Sequence, residues 1–176
     1  KYSGQFVNSA ISLNDKNSSA AIIGGGDGGV ARECLAKGFD LIDWYELDPE
    51  VVKVCYKHLP KICGEVKENN NVKCYWGDAF ESIKTVKDSK YDKIFVDLND
   101  DQYCIDLAAK NMKALKRILK PDGVITAQVG CLSKKPKQVN GWLKVLSENF
   151  GNSKLDEVFI PSFDCRWNFA SSIMNS

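Results

Sequence analysis

The chain has 176 residues, 44% of them hydrophobic and 27% charged, which suits a single compact domain, 1–176, with an ordinary core and surface. Its 24 Lys and Arg against 23 acids leave a net charge of +1, with no basic block longer than Lys134-Lys135-Pro136-Lys137, so electrostatic capture of nucleic acid is unsupported. No apolar run nears the ~20 residues a bilayer requires, and Lys1-Tyr2-Ser3-Gly4 is no secretory core, so a soluble, unexported, cytoplasmic protein is expected.

The first apolar run, 20–23, reads as a strand that ends in Gly24-Gly25-Gly26-Asp27-Gly28-Gly29. Glycines there let the chain turn tightly and let backbone approach a ligand closely. A carboxylate at Asp27, where an ordinary nucleotide loop meets pyrophosphate, repels phosphate and welcomes a cation. That points to a positively charged, phosphate-free adenosyl ligand. Val30, Ala31, Cys34 and Leu35 recur at helical spacing until Gly38. A second strand follows over 41–47, then a helix over 50–58 with Asp48 as cap and Pro49 in its first turn. Asn69-Asn70-Asn71 marks a loop, 72–76 a third strand, and 79–86 a helix.

Strand four is expected over 91–97 and a helix over about 105–119, stopped by Lys120-Pro121-Asp122-Gly123. Strand five takes 124–129 and a further helix about 139–149. Two strands without a helix between them, 155–160 and 167–173, suggest an antiparallel pair added at the sheet edge. Strand-helix alternation before that predicts an α/β fold with a mostly parallel, doubly wound sheet. Seven cysteines, at 34, 55, 63, 74, 104, 131 and 165, show no CxxC pair and have only His58 to help bind zinc. Reduced thiols and no metal are therefore expected.

In such sheets ligands bind beyond the carboxyl ends of the strands, and acids collect there: Asp27, Glu46, Asp78 and Asp97, with Asp100 and Asp101 just after. Glu46 lies about 20 residues past the glycine loop, the spacing at which an acid grips ribose hydroxyls. Asp78 could accept from an adenine amine or cap the helix at Ala79, and one carboxylate could do both. Asp97 is held at the end of a buried strand, as a catalytic acid or base must be.

Ile22-Ile23-Gly24-Gly25-Gly26-Asp27-Gly28-Gly29-Val30, Tyr45-Glu46-Leu47-Asp48, Gly77-Asp78-Ala79-Phe80 and Tyr91-Asp92-Lys93-Ile94-Phe95-Val96-Asp97 resemble the polyamine aminopropyltransferases in order and spacing. The segment 57–66 and Asp97-Leu98-Asn99 look closer to spermine synthases than to spermidine synthases. The resemblance implies a Rossmann-like, class I methyltransferase-type fold. It also implies decarboxylated S-adenosylmethionine as cosubstrate, no prosthetic group, and a polyamine, spermidine or putrescine, as acceptor. A homodimer is a further expectation. On this likeness Gly24, Gly26, Glu46, Asp78 and Ala79 hold the nucleoside, Asp27 the aminopropyl ammonium, Asp97 the attacking amine, and Asp100, Gln128 and Phe163 the acceptor.

The likeness has gaps. A tyrosine that orients the amine aligns with Val7, a later tyrosine with Phe163, and an expected acid with Cys165, one residue from Asp164. These leave an active enzyme with changed acceptor preference or a catalytically degenerate nucleoside-binding or scaffold relative, while the shared adenosyl pocket also allows an S-adenosylmethionine-dependent methyltransferase, whose cosubstrate carboxylate Asp27 would repel. The chain also begins close to the first core strand, so the family's additional N-terminal segment is expected to be absent.

Overall fold

The computed structural model describes residues 1–175. In chain order it has α1 (Tyr2–Ile11), β1 (Ser19–Gly24), α2 (Gly29–Ala36), β2 (Leu41–Glu46), α3 (Pro49–His58), α4 (Pro60–Cys63), β3 (Val72–Trp76) and α5 (Ala79–Ser82). There follow β4 (Tyr91–Asp97), α6 (Gln102–Ile118), β5 (Leu119–Cys131), α7 (Pro136–Phe150), β6 (Lys154–Ile160) and β7 (Cys165–Ile173).

The strands form one sheet in the order β3-β2-β1-β4-β5-β7-β6. The first five are parallel, and β7 runs antiparallel to both β5 and β6. The chain builds outward from β1 through β2 and β3, then crosses back to lay β4 on the other side of β1. That reversal is a topological switch point, where the connections leave in opposite directions and a crevice opens. Gly24 and Asp97 are register partners at its mouth.

Helices cover both faces, so the central strands are apolar throughout rather than alternating. Ile23, Ile94 and Ile125 face a layer with Ile105, Met112 and Trp142, while Ile22, Phe95 and Val124 face Phe6, Val30 and Phe39. Each set is buried.

Most expected elements stand within a residue or two. The helix over 79–86 shortens to α5 followed by a 3-10 turn at Ile83–Thr85. The stop at Lys120-Pro121-Asp122-Gly123 lies inside β5: Leu119 already pairs with Tyr91, and the ladder shifts register before Lys93 meets Val124. A bulge of this kind tolerates proline because the local ladder is interrupted anyway.

Two features differ more. No element is expected before residue 20, yet α1 is there, with Phe6, Val7 and Ala10 buried. Its Ser, Gly and Asn residues are weak helix formers, so the helix depends on tertiary packing against the sheet. The thiols also depart from expectation, because Cys131 and Cys165 form a disulfide with Cα atoms 6.3 Å apart. Antiparallel pairing of β5 with β7 brings together ends that lie 34 positions apart in sequence. The other five cysteines are unpaired.

Candidate functional site

The switch point is built from bare backbone. Gly24 has φ +82°, and a Cβ there would lie 2.5 Å from the Asp97 carbonyl oxygen. Gly25 N–H donates to the same oxygen at 3.1 Å. The glycine loop and the end of β4 are therefore locked together, and two cavities open on either side of the seam. One is about 440 Å³ and the other about 830 Å³. Both are lined by Gly25, Gly26, Asp97, Leu98 and Asn99.

The smaller cavity collects Gly24, Glu46, Asp78 and Ala79 together with Leu47, Val51, Phe80 and Leu107. Gly26 faces Glu46, whose Oε2 lies 3.3 Å from where a Cβ would stand. The other Glu46 oxygen accepts from Asp48 N–H at 3.0 Å, which orients the carboxylate. Asp78 caps α5, accepting from Phe80 N–H at 2.8 Å, and still lines the cavity. The capping reading of Asp78 holds, and the cap leaves the residue on the cavity wall. Two acids at the rim of an apolar slot can grip hydroxyl and amine edges while the slot takes a flat ring.

The larger cavity collects Asp27, Asp100, Gln128, Phe163, Tyr2 and Trp167 around Asp97. Burial pushes the Asp97 carboxyl up to about 7; a hydrogen bond from Tyr2 pulls it down, and the charges of Asp27 and Glu46 add to the rise. Tyr2 Oη donates to Asp97 Oδ1 at 2.6 Å. Burial and Asp97 together hold that phenol well above the ordinary tyrosine range, so it stays a donor. A carboxyl poised near neutrality in a cleft can take up or release a proton at physiological pH.

Aromatic rings form one wall: Phe163 lies 4.6 Å from Trp167 between centroids, and Tyr2 lies 6.0 Å from Phe163 and 5.2 Å from Phe169. Gln128 is buried, and its amide is engaged at both ends. Its Nε2 donates to the Leu98 carbonyl and its Oε1 accepts from Trp167 Nε1 at 3.2 Å. It therefore fixes the wall beside Asp97. Asp27 Oδ1 accepts from Gly29 N–H at 2.8 Å, and Asp100 Oδ2 pairs with Lys135 Nζ at 2.9 Å.

The structure brings every expected site residue to these two cavities and revises the gaps. Val7 is fully buried among Phe6, Ala10 and Ile22, so it belongs to the core. A hydroxyl does reach Asp97, from Tyr2, five residues earlier. Tyr2 and Phe6 at i, i+4 spacing mark one face of a helix, but no local signal marks the meeting of Tyr2 with Asp97. Phe163 lines the cavity, 43% exposed. Cys165 is buried in the disulfide, and Asp164 is exposed in left-handed backbone at φ +45°.

The sequence pattern of the Spermine/spermidine synthase domain matches residues 1–175. A polyamine aminopropyltransferase of Prochlorococcus marinus (strain MIT 9301) is 34% identical, over 94% of this chain and 61% of its own length. One from Korarchaeum cryptofilum (strain OPF8) is 29% identical over 85% of this chain and 47% of its own. The chain thus spans about three fifths of the first of these relatives. Among solved structures, spermidine synthase from Thermotoga maritima superposes with a TM-score of 0.86 at 20% identity, covering 98% of this chain and 59% of its own. A spermidine synthase in complex with the transition state analogue AdoDATO gives 0.84 at 20%, covering 98% and 58%.

Proposed function

The chain belongs to the spermine/spermidine synthase family, and from that premise we propose that residues 1–176 are a catalytic unit transferring the aminopropyl group of decarboxylated S-adenosylmethionine to a polyamine. The observation that carries this reading is the meeting of two acid-lined cavities at Asp97, a carboxyl held near neutrality. The smaller cavity takes the nucleoside, with Glu46 on the ribose and Asp78 on the adenine. Asp27 takes the aminopropyl ammonium. The larger cavity takes the acceptor, whose methylenes run along Phe163 and Trp167 while Asp100 attracts a distal ammonium.

The amine attacks the carbon beside the sulfonium through its lone pair, and the carbon–sulfur bond breaks with its electrons moving to sulfur. The leaving thioether is neutral and needs no acid. The attacking amine must first be neutral, although such amines hold a proton up to about pH 10. Asp97 accepts that proton. A base near 7 is well matched to the task, being largely ionised just above neutrality yet basic enough to take the proton. Orientation supplies most of the remaining acceleration, up to ~7 kcal/mol or more for well-aligned groups.

The finer assignment is spermidine as acceptor, supported by the segment 57–66 and Asp97-Leu98-Asn99. The degenerate-relative reading loses its first support, because Tyr2 provides the hydroxyl that Val7 lacks. Incubation with decarboxylated S-adenosylmethionine and either spermidine or putrescine tests the reading by product formation. Asp97→Asn is expected to abolish transfer and leave donor affinity within a few fold. Absence of product from both amines, or near-normal turnover of Asp97→Asn, defeats it.

A further inference from the structure

We propose that Lys135 is an internal stand-in for an acceptor ammonium, competing for Asp100 and so setting how tightly the amine is held. This rests on the reading of the larger cavity as the amine site. Of the three carboxylates on that cavity, Asp27 accepts from a backbone N–H and Asp97 from a phenol, while Asp100 pairs with a full positive charge, Lys135 Nζ at 2.9 Å. That is the group a polyamine presents.

The pairing is built rather than incidental. Gly130, at φ +90°, has no side chain where a Cβ would press within 3.2 Å of Asp100, so the carboxylate sits directly on the end of β5. The segment carrying Lys135 is anchored on its other side. Cys131 is bonded to Cys165, Lys135 N–H donates to the Cys131 carbonyl at 2.7 Å, and Lys134 Nζ donates to the carbonyls of Phe163 and Asp164 at 3.1 and 3.0 Å. Lys135 is the residue before α7, and a cation at a helix N-terminus opposes the macrodipole, so the helix gains nothing from its charge. The Lys135 side chain is 46% exposed, and exposed ion pairs are weak, so an incoming ammonium can displace it.

The test is calorimetric titration of spermidine and of putrescine into the wild type, Lys135→Gln, Asp100→Asn and the double variant. Lys135→Gln is expected to tighten amine binding about two- to fivefold, the worth of an exposed ion pair. Asp100→Asn weakens it, and in that background Lys135→Gln changes nothing. Unchanged affinity in Lys135→Gln, with or without a lower melting temperature, overturns the proposal. The same tightening without Asp100 does so too, since it marks a general charge effect. A product assay with decarboxylated S-adenosylmethionine separates the two ideas: affinities following the pattern without product defeat the transferase reading alone. A wild type that binds neither amine defeats both.

Discussion

Tyr2→Phe removes one oxygen from the site and keeps the ring that packs on Phe6 and Phe169. The lost contact is the 2.6 Å hydrogen bond to Asp97 Oδ1. A hydrogen bond to a charged acceptor is worth about 1.5–3 kcal/mol. At about 1.4 kcal/mol per pH unit this moves the Asp97 titration upward by roughly one to two units, because the bond stabilises the ionised form. Asp97 in the intact protein titrates at about 7. At neutral pH the ionised fraction then falls from about half to roughly 1–10%, and the rate drops about five- to fiftyfold. The loss is recovered as the pH rises through the new titration point. The assay is the pH profile of kcat/KM for product formation, wild type against Tyr2→Phe. A loss of equal size at every pH refutes the reasoning, since it assigns the hydroxyl to holding the amine rather than tuning the base. An unshifted acid limb at full rate refutes it equally.

Donor binding is expected to release protons near neutrality, because a sulfonium and an ammonium beside Asp97 favour its ionised form. Calorimetry at pH 7 in buffers of different ionisation enthalpy should show a heat difference equivalent to as much as about half a proton, absent in Asp97→Asn. Equal heats in both buffers count against a base at about 7. The Cys131–Cys165 link closes a loop over 34 positions, worth about 3–4 kcal/mol by the chain-entropy account. Reductant should therefore lower the melting temperature of the wild type and leave Cys165→Ser, already lower, unmoved. A wild type indifferent to reductant shows the link contributes nothing.

The succession of strands and helices along the chain, the glycine loop and the acids at the strand ends were legible in the residues alone. Those features are local: an apolar run, a turn that only glycine permits, an acid one step past a buried strand. Asp27, Glu46, Asp78 and Asp97 could be picked out because strand ends carry them all to one rim of the sheet. Tertiary structure decided the rest. Tyr2 meets Asp97 across 95 positions, and no short-range spacing encodes that encounter. The insertion of β7 between β5 and β6 joins Cys131 to Cys165 and shapes the lip that carries Phe163. The poise of Asp97 follows from burial and neighbouring charge, which exist only once the chain has closed around it. A periodic pattern reports which face of an element turns inward, but which side chains meet there depends on how separate elements pack.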